Sequence, residues 1–215
     1  MSVYRLKPAF QGLLRPLVGA LARAGVTANA VTVAAALMSL GAGGFLALAL
    51  ASGSAALTIA ALLALPATLL VRMALNAVDG MLAREHGQAS LIGAYLNELG
   101  DVVSDTALIL PFALLSPLAA VGTVAVALLA ALSELAGIAG HAVGAGRRYD
   151  GPMGKSDRAL ALGLLATVLA IMLSASASPV TLAHLTSAVM TVMAALLVLT
   201  IYNRVRSGIA AGGGA

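Results

Sequence analysis

Few side chains in this sequence could do chemistry, and most of them fall in one stretch, Asn76 to Asp105, which reads NAVDGMLAREHGQASLIGAYLNELGDVVSD. Asn76, Asp79 and Ala83 stand at i, i+3 and i+7, so they share one helix face. Asn97, Asp101 and Asp105 recur every four residues and share a second face. Between them lies a short polar turn, Glu85 to Ser90, with Gly87 as the helix stop. Helices joined by so short a turn run antiparallel and adjacent, which points the two polar faces at one another. Carboxylates and carboxamides gathered this way suit a hard cation such as Mg²⁺, which takes oxygen ligands and commonly holds a substrate phosphate as well.

This stretch resembles the signature of the CDP-alcohol phosphotransferases, Asp-x₂-Asp-Gly-x₂-Ala-Arg, eight or nine residues, then Gly-x₃-Asp-x₃-Asp. Asp79, Gly80, Ala83, Arg84, Gly93 and Asp101 match in register, with eight residues between Arg84 and Gly93. Two positions depart: Asn76 and Asn97 stand at the first and third acidic places. So many fixed positions make the match far more specific than a lone glycine motif.

The resemblance implies transfer of a phosphoalcohol group from a CDP-alcohol to a hydroxyl, with release of CMP. In most bacterial members the donor is CDP-diacylglycerol and the product a phospholipid. It implies one or two Mg²⁺ or Mn²⁺ ions at Asn76, Asp79, Asn97 and Asp101, and Asp101 as the base that activates the acceptor. Gly80, Ala83, Arg84 and Gly93 are then expected beside the donor. Asn29 and Thr32, three residues apart, match a pair that related proteins often carry near the donor. They read equally well as the start of a helix with Thr27 as its cap.

The physical chemistry of these residues agrees. Attack at phosphorus needs negative charge on the pyrophosphate neutralised, which a bound cation provides. A carboxylate beside it can take the hydroxyl proton. Glycine at 80 and 93 removes bulk where a ligand or a backbone must come close. The two amides remove two formal charges from the set. A carboxamide oxygen still coordinates a hard cation but neither neutralises it nor takes a proton. The expected site therefore holds one metal firmly, or two only with the donor present.

The elements that position these residues must lie in a membrane. Of 215 residues 61% are hydrophobic and 9% charged, with mean hydropathy +1.04, which is not a soluble composition. A span needs about 20 apolar residues. The chain therefore reads as a single all-α integral membrane domain, 1–215, with about six transmembrane helices over 29–206. Residues 4–23 read as an amphipathic helix in the interface, with Leu13, Leu17 and Leu21 opposite Lys7, Gln11 and Arg15. Pro8 and Pro16 argue against one straight helix there, and residues 207–215 are expected to be a disordered tail. The absence of cysteine excludes disulfide and thiolate chemistry.

Charge placement orients the bundle. Basic residues precede the first span, fill the loop from Gly146 to Arg158 and follow the last span, whereas the connections near Ser52, Ser116 and Ser176 carry none. By the positive-inside rule both termini and the motif face the cytoplasm of a bacterial inner membrane. No nucleic-acid partner is expected; membrane lipids are, and a homodimer is compatible with the pattern.

Three charges fall inside spans, where they must face a partner or a wet cavity: Arg72, Asp105 and Glu134. Arg72 lies seven residues from Asp79 and Asp105 one turn from Asp101, so Arg72 and Asp105 should pair at similar depth, with Glu134 as a third member. Glu134 and His141, seven apart on one face, are placed in one span over about 119–144, and His141 reads as part of a buried structural network. Arg147, Arg148, Lys155 and Arg158 could hold the phosphate of a phosphorylated acceptor, led by Lys155 and Arg158 at a helix N-terminus. They read as well as topology signals, so the acceptor alcohol is expected either with or without a phosphate. Two other functions compete: a non-catalytic lipid or nucleotide binder on the same fold, which the two amides favour, and a small transporter using the three intramembrane charges.

Overall fold

The structure, a computed structural model, describes residues 7–212. Among the described residues seven α-helices follow in order: α1 (Lys7–Arg23), α2 (Ala28–Ala51), α3 (Ala55–Glu85), α4 (Leu91–Ile109), α5 (Pro117–Ala139), α6 (Lys155–Ser174) and α7 (Pro179–Gly212). A 3₁₀ segment, Leu110–Leu115, continues α4. The starts are capped by side chains: Thr27 accepts from Ala30 N, Ser54 from Leu57 N, Ser90 from Gly93 N and Ser116 from Ala119 N. At the end of α3 Gly87 takes φ +65°, a left-handed value that ends the helix and starts the return.

The protein is an all-α membrane bundle. Among the described residues five helices, α2, α3, α5, α6 and α7, are long and apolar enough to cross a membrane. The sixth, α4, carries Glu98, Asp101 and Asp105 in its 19 residues. Its other face, Tyr95, Leu99 and Val103, is exposed at four-residue spacing, as a lipid-facing stripe would be. The helix turns Asp101 and Asp105 inward and Tyr95, Leu99 and Val103 outward. With the 3₁₀ continuation it runs roughly 40 Å, enough to cross.

Packing follows from small residues. α2 lies along both α3 and α4, α3 against α6, and α5 against α7. A Cβ at Gly43 would collide with the Ala107 carbonyl, so glycine there sets how closely α2 approaches α4. Leu46, Leu62, Leu65, Phe112, Leu169 and Met190 fill the centre.

α1 differs from the expected form in two ways. It runs unbroken through Pro16. Its apolar residues also split between two surfaces: Val18 is fully buried with Leu14 and Leu21 against Val78, Met81 and Leu82 of α3, while Leu13 is 81% exposed and Leu17 49%. Arg15 bonds Glu85 at 3.1 Å and ties α1 to the motif end of α3. Positions 4–6 of the expected interfacial helix lie outside the described residues.

Two other boundaries are corrected. α7 continues to Gly212, so 207–212 is helix and not tail; 213–215 lie outside the described residues. The cause is the loop 140–154, which packs on α7: Ser207 Oγ donates to Asp150 at 2.7 Å, and Gly212 lies against the Val143 carbonyl. α5 stops at Ala139, five residues before the expected 144, because Gly140, Gly144 and Gly146 follow. His141 is therefore exposed in a turn and not part of a buried network.

Candidate active site

Polar and charged residues of the sequence converge where α3, α4, α5, α6 and α7 meet. α3 contributes Arg72, Asn76 and Asp79; α4 contributes Asn97, Glu98, Asp101 and Asp105. Asp101 is 5% exposed and is the centre of the cluster. Its Oδ1 accepts from Asn76 Nδ2 at 3.1 Å and from Arg72 Nη2 at 3.2 Å. Its Oδ2 receives the ammonium of Lys155, the first residue of α6. Arg72 also donates to the Asp101 carbonyl at 3.2 Å.

Asp79 sits beside this group, also 5% exposed. Its Oδ2 accepts from Thr32 Oγ1 at 2.8 Å, so α2 orients it. Asn29, one turn before Thr32, covers Gly93: a Cβ at 93 would lie 2.6 Å from Asn29 Oδ1. Arg84 folds back over Gly80, where a Cβ would lie 3.0 Å from its guanidinium. These two glycines leave room that the neighbouring polar side chains occupy. Ala83 is half-buried against the α1–α3 contact. Asn97 is half-buried and, among the described residues, forms no side-chain hydrogen bond.

Beneath the site runs an ion network. Arg72 Nη1 donates to Asp105 Oδ1 at 2.6 Å. Arg158 donates to Asp105 Oδ2 through Nε at 2.9 Å and Nη2 at 2.6 Å, and to Glu134 Oε1 at 2.9 Å. Arg147 donates to Glu134 Oε2 at 3.1 Å and pairs with Glu98. Arg204, from α7, lies 3.7 Å from Glu134 and donates to the Ser133 carbonyl. Buried charges hold only when paired, and each of these groups is, although Glu98 Oε2, Arg147 Nε and Arg204 Nε have no hydrogen-bond partner.

Two of the loop cations are thereby corrected. Arg158 is 1% exposed and spans Asp105 and Glu134, so its guanidinium is structural and does not face an acceptor. Arg148 donates to Asp150 at 3.1 Å and to Ser207 at 3.2 Å, fastening the loop to α7 away from Asp101. Of the four, Lys155 and Arg147 border the site.

Sequence reasoning missed Glu98, Arg204 and Gln88. Glu98 precedes Asp101 by three residues, on the same helix face, and that spacing was the available signal. Arg204 gave none beyond being a charge near the end of an apolar helix. Gln88 Oε1 accepts from Ala28 N at 2.6 Å and so locks the α3–α4 turn onto the start of α2. In the loop, which lies outside the spans, burial lowers the Arg147 guanidinium from its usual value. The Asp150 carboxyl is held below the usual carboxylate range by the Ser207 hydroxyl and by Arg148, against the opposing effect of burial.

The oxygens left free in this group are of the kind a hard cation takes. Among the described residues no three His, Cys, Asp or Glu side chains converge as a metal cluster. Both oxygens of Asp101 are engaged, by Arg72 and Asn76 on one side and Lys155 on the other. Asp79 keeps Oδ1, and Asn76 and Asn97 keep their amide oxygens, which suits one ion of the Mg²⁺ type.

No family model matches the chain. It is 47% identical over 171 residues to the inner membrane protein YnbA of Escherichia coli, covering 80% of this chain and 82% of that protein. The chain belongs to the YnbA family. Among solved structures, that of the phosphatidylinositol phosphate synthase of Mycobacterium tuberculosis with CDP-DAG bound superposes with a TM-score of 0.69, at 18% identity, over 90% of this chain and 92% of that one. The same enzyme in complex with manganese and citrate gives 0.67, at 19% identity, over 90% and 87%. This YnbA-family chain therefore has the fold of that synthase.

Proposed function

We propose that this protein is a CDP-alcohol phosphotransferase of the inner membrane, moving a phosphatidyl group from CDP-diacylglycerol to an alcohol hydroxyl with release of CMP in phospholipid synthesis. One observation carries the reading. The Asp101 carboxylate, at the fourth acidic place of the signature, is held between Arg72, Asn76 and Lys155 on the inner face of α4. The fold shared with a synthase crystallised with CDP-DAG supports it.

The residues divide the work as follows. The acceptor oxygen attacks the phosphorus that bears the diacylglycerol, the bond from that phosphorus to the CMP oxygen breaks, and CMP leaves. Asp101 Oδ2 takes the hydroxyl proton. It does so once the Lys155 ammonium, 29% exposed on a flexible stem, has moved from Asp101 to the donor phosphates. Arg72 stays on Oδ1 and keeps the carboxylate aimed. Thr32 holds Asp79, and Asn29, Gly80, Arg84 and Gly93 line the donor side. Asp79 with the amide oxygens of Asn76 and Asn97 would hold a Mg²⁺ or Mn²⁺ ion, which would supply charge neutralisation at the pyrophosphate. The synthase crystallised with manganese is in keeping with that choice of metal.

A non-catalytic donor-binding protein is the second reading. It is favoured by the two amides and by the engagement of both Asp101 oxygens. The intramembrane charges Arg72, Asp105 and Glu134 are bonded into one network through Arg158. Purified protein, CDP-diacylglycerol, a divalent metal and a panel of alcohols decide the matter. CMP release that disappears in Asp101→Asn supports transfer; donor binding without CMP release for any alcohol transfers the assignment to the binding protein.

A further inference from the structure

Apart from Arg84 on the donor side, the cations that border the site are committed within the chain. Arg147 is shared by Glu98 and Glu134, Lys155 by Asp101 with Glu134 at 4.0 Å, and Arg158 by Asp105 and Glu134. Counting Arg72 and Arg204, five cations stand among five carboxylates, Asp79, Glu98, Asp101, Asp105 and Glu134. The cluster is neutral as it stands. One divalent ion and the two charges of a donor pyrophosphate also sum to zero. An acceptor bearing a phosphate monoester would add up to two further negative charges beside Glu98 and Glu134. Like charges in a desolvated site are strongly unfavourable. If Lys155 turns to the donor, no whole cation is left over for that phosphate; only the single Nε–H groups of Arg147 and Arg204 lack partners.

A second observation points to what does bind. Glu98 Oε2 is buried and has no hydrogen-bond partner, although Oε1 is held by Arg147. A buried carboxylate oxygen left without a donor is costly, so it calls for one. Glu98 and Asp101 are neighbours at i and i+3 on α4, about 5–6 Å apart at Cβ. That spacing is within the span of two hydroxyls of a single small polyol.

We infer that the acceptor is an uncharged polyol, bearing no phosphate, with one hydroxyl donating to Glu98 Oε2 and the reacting hydroxyl directed at Asp101. This rests on the transferase reading and names the substrate class of that same site. Glu98 is a specificity residue, with Arg147 held in place by it.

The test gives purified protein CDP-diacylglycerol and Mn²⁺ with glycerol or inositol in one arm and glycerol 3-phosphate or an inositol phosphate in the other. The polyol arm is expected to show kcat/KM higher on the order of tenfold or more. Glu98→Gln should narrow that ratio by raising KM for the polyol with little change in kcat, and by freeing Arg147 for the phosphorylated acceptor. Calorimetry reads the point without turnover: glycerol 3-phosphate should give no binding heat at millimolar concentration. A preference for the phosphorylated arm, or phosphate binding that Arg147→Met abolishes, overturns the inference and leaves the transfer reaction standing. Donor binding with no CMP release in either arm overturns the transferase reading and this inference with it.

Discussion

Removing the Asp105 carboxylate should destabilise this protein more than any change at its surface charges. Asp105 accepts three hydrogen bonds from two guanidiniums, Arg72 Nη1 at 2.6 Å and Arg158 Nε and Nη2 at 2.9 and 2.6 Å. Their side chains are 6% and 1% exposed, so neither can turn to water. In Asp105→Leu both lose a partner. Arg72 keeps Asp101 and Arg158 keeps Glu134, which limits the loss to that of one broken buried pair, about 3–5 kcal/mol. For a chain of this length that is about 6–20 °C in Tm. The exposed pair Arg15–Glu85, with side chains 65% and 38% exposed, is the internal control. Its removal in Arg15→Ala should cost about 0–1 kcal/mol. Thermal unfolding in detergent micelles, followed by loss of the monodisperse peak, measures both. A Tm for Asp105→Leu within about 2 °C of wild type, or an equal fall in Arg15→Ala, would refute the argument that burial decides the worth of these pairs.

Three further outcomes are expected. Asp101→Asn should lower CMP release by roughly 10²–10⁴ while donor binding persists, because it removes the proton acceptor and keeps the side-chain volume; unchanged turnover counts against Asp101 as base. Manganese titration followed by electron paramagnetic resonance should give one tight ion per chain in the apo protein and none in Asp79→Asn; two tight ions without donor would contradict the single-ion donor set. The Asp150 carboxyl is held below its unfolded value, so its contribution to fastening loop 140–154 on α7 is complete above that value, about pH 4, and fades as pH falls through its own lower pKa. Proteolysis of the loop should accordingly be flat from pH 8 to 5 and rise only below about pH 4 in wild type, and Asp150→Asn should remove that pH response.

The membrane bundle, the end of α3 and the inner faces of α3 and α4 were legible in the residues alone. Apolar run length and helical spacing are local properties, and a chain with 9% charge leaves few polar faces to confuse. The pairing of Arg72 with Asp105 belongs to the same class: both depths follow from counting turns along two adjacent antiparallel helices. Arg158 shows where counting stops. At the head of α6 it looked like an anion ligand, yet α6 packs on α3 and carries its guanidinium between Asp105, 53 residues earlier, and Glu134, 24 residues earlier. Nothing local encodes those distances. Whether Lys155 meets a phosphate or Asp101, whether Glu98 faces lipid or Arg147, and whether Arg204 reaches Ser133 across 71 residues depend on how the helices rotate against one another. That rotation is set by close contacts such as Gly43 on Ala107, which exist only once the chain has packed.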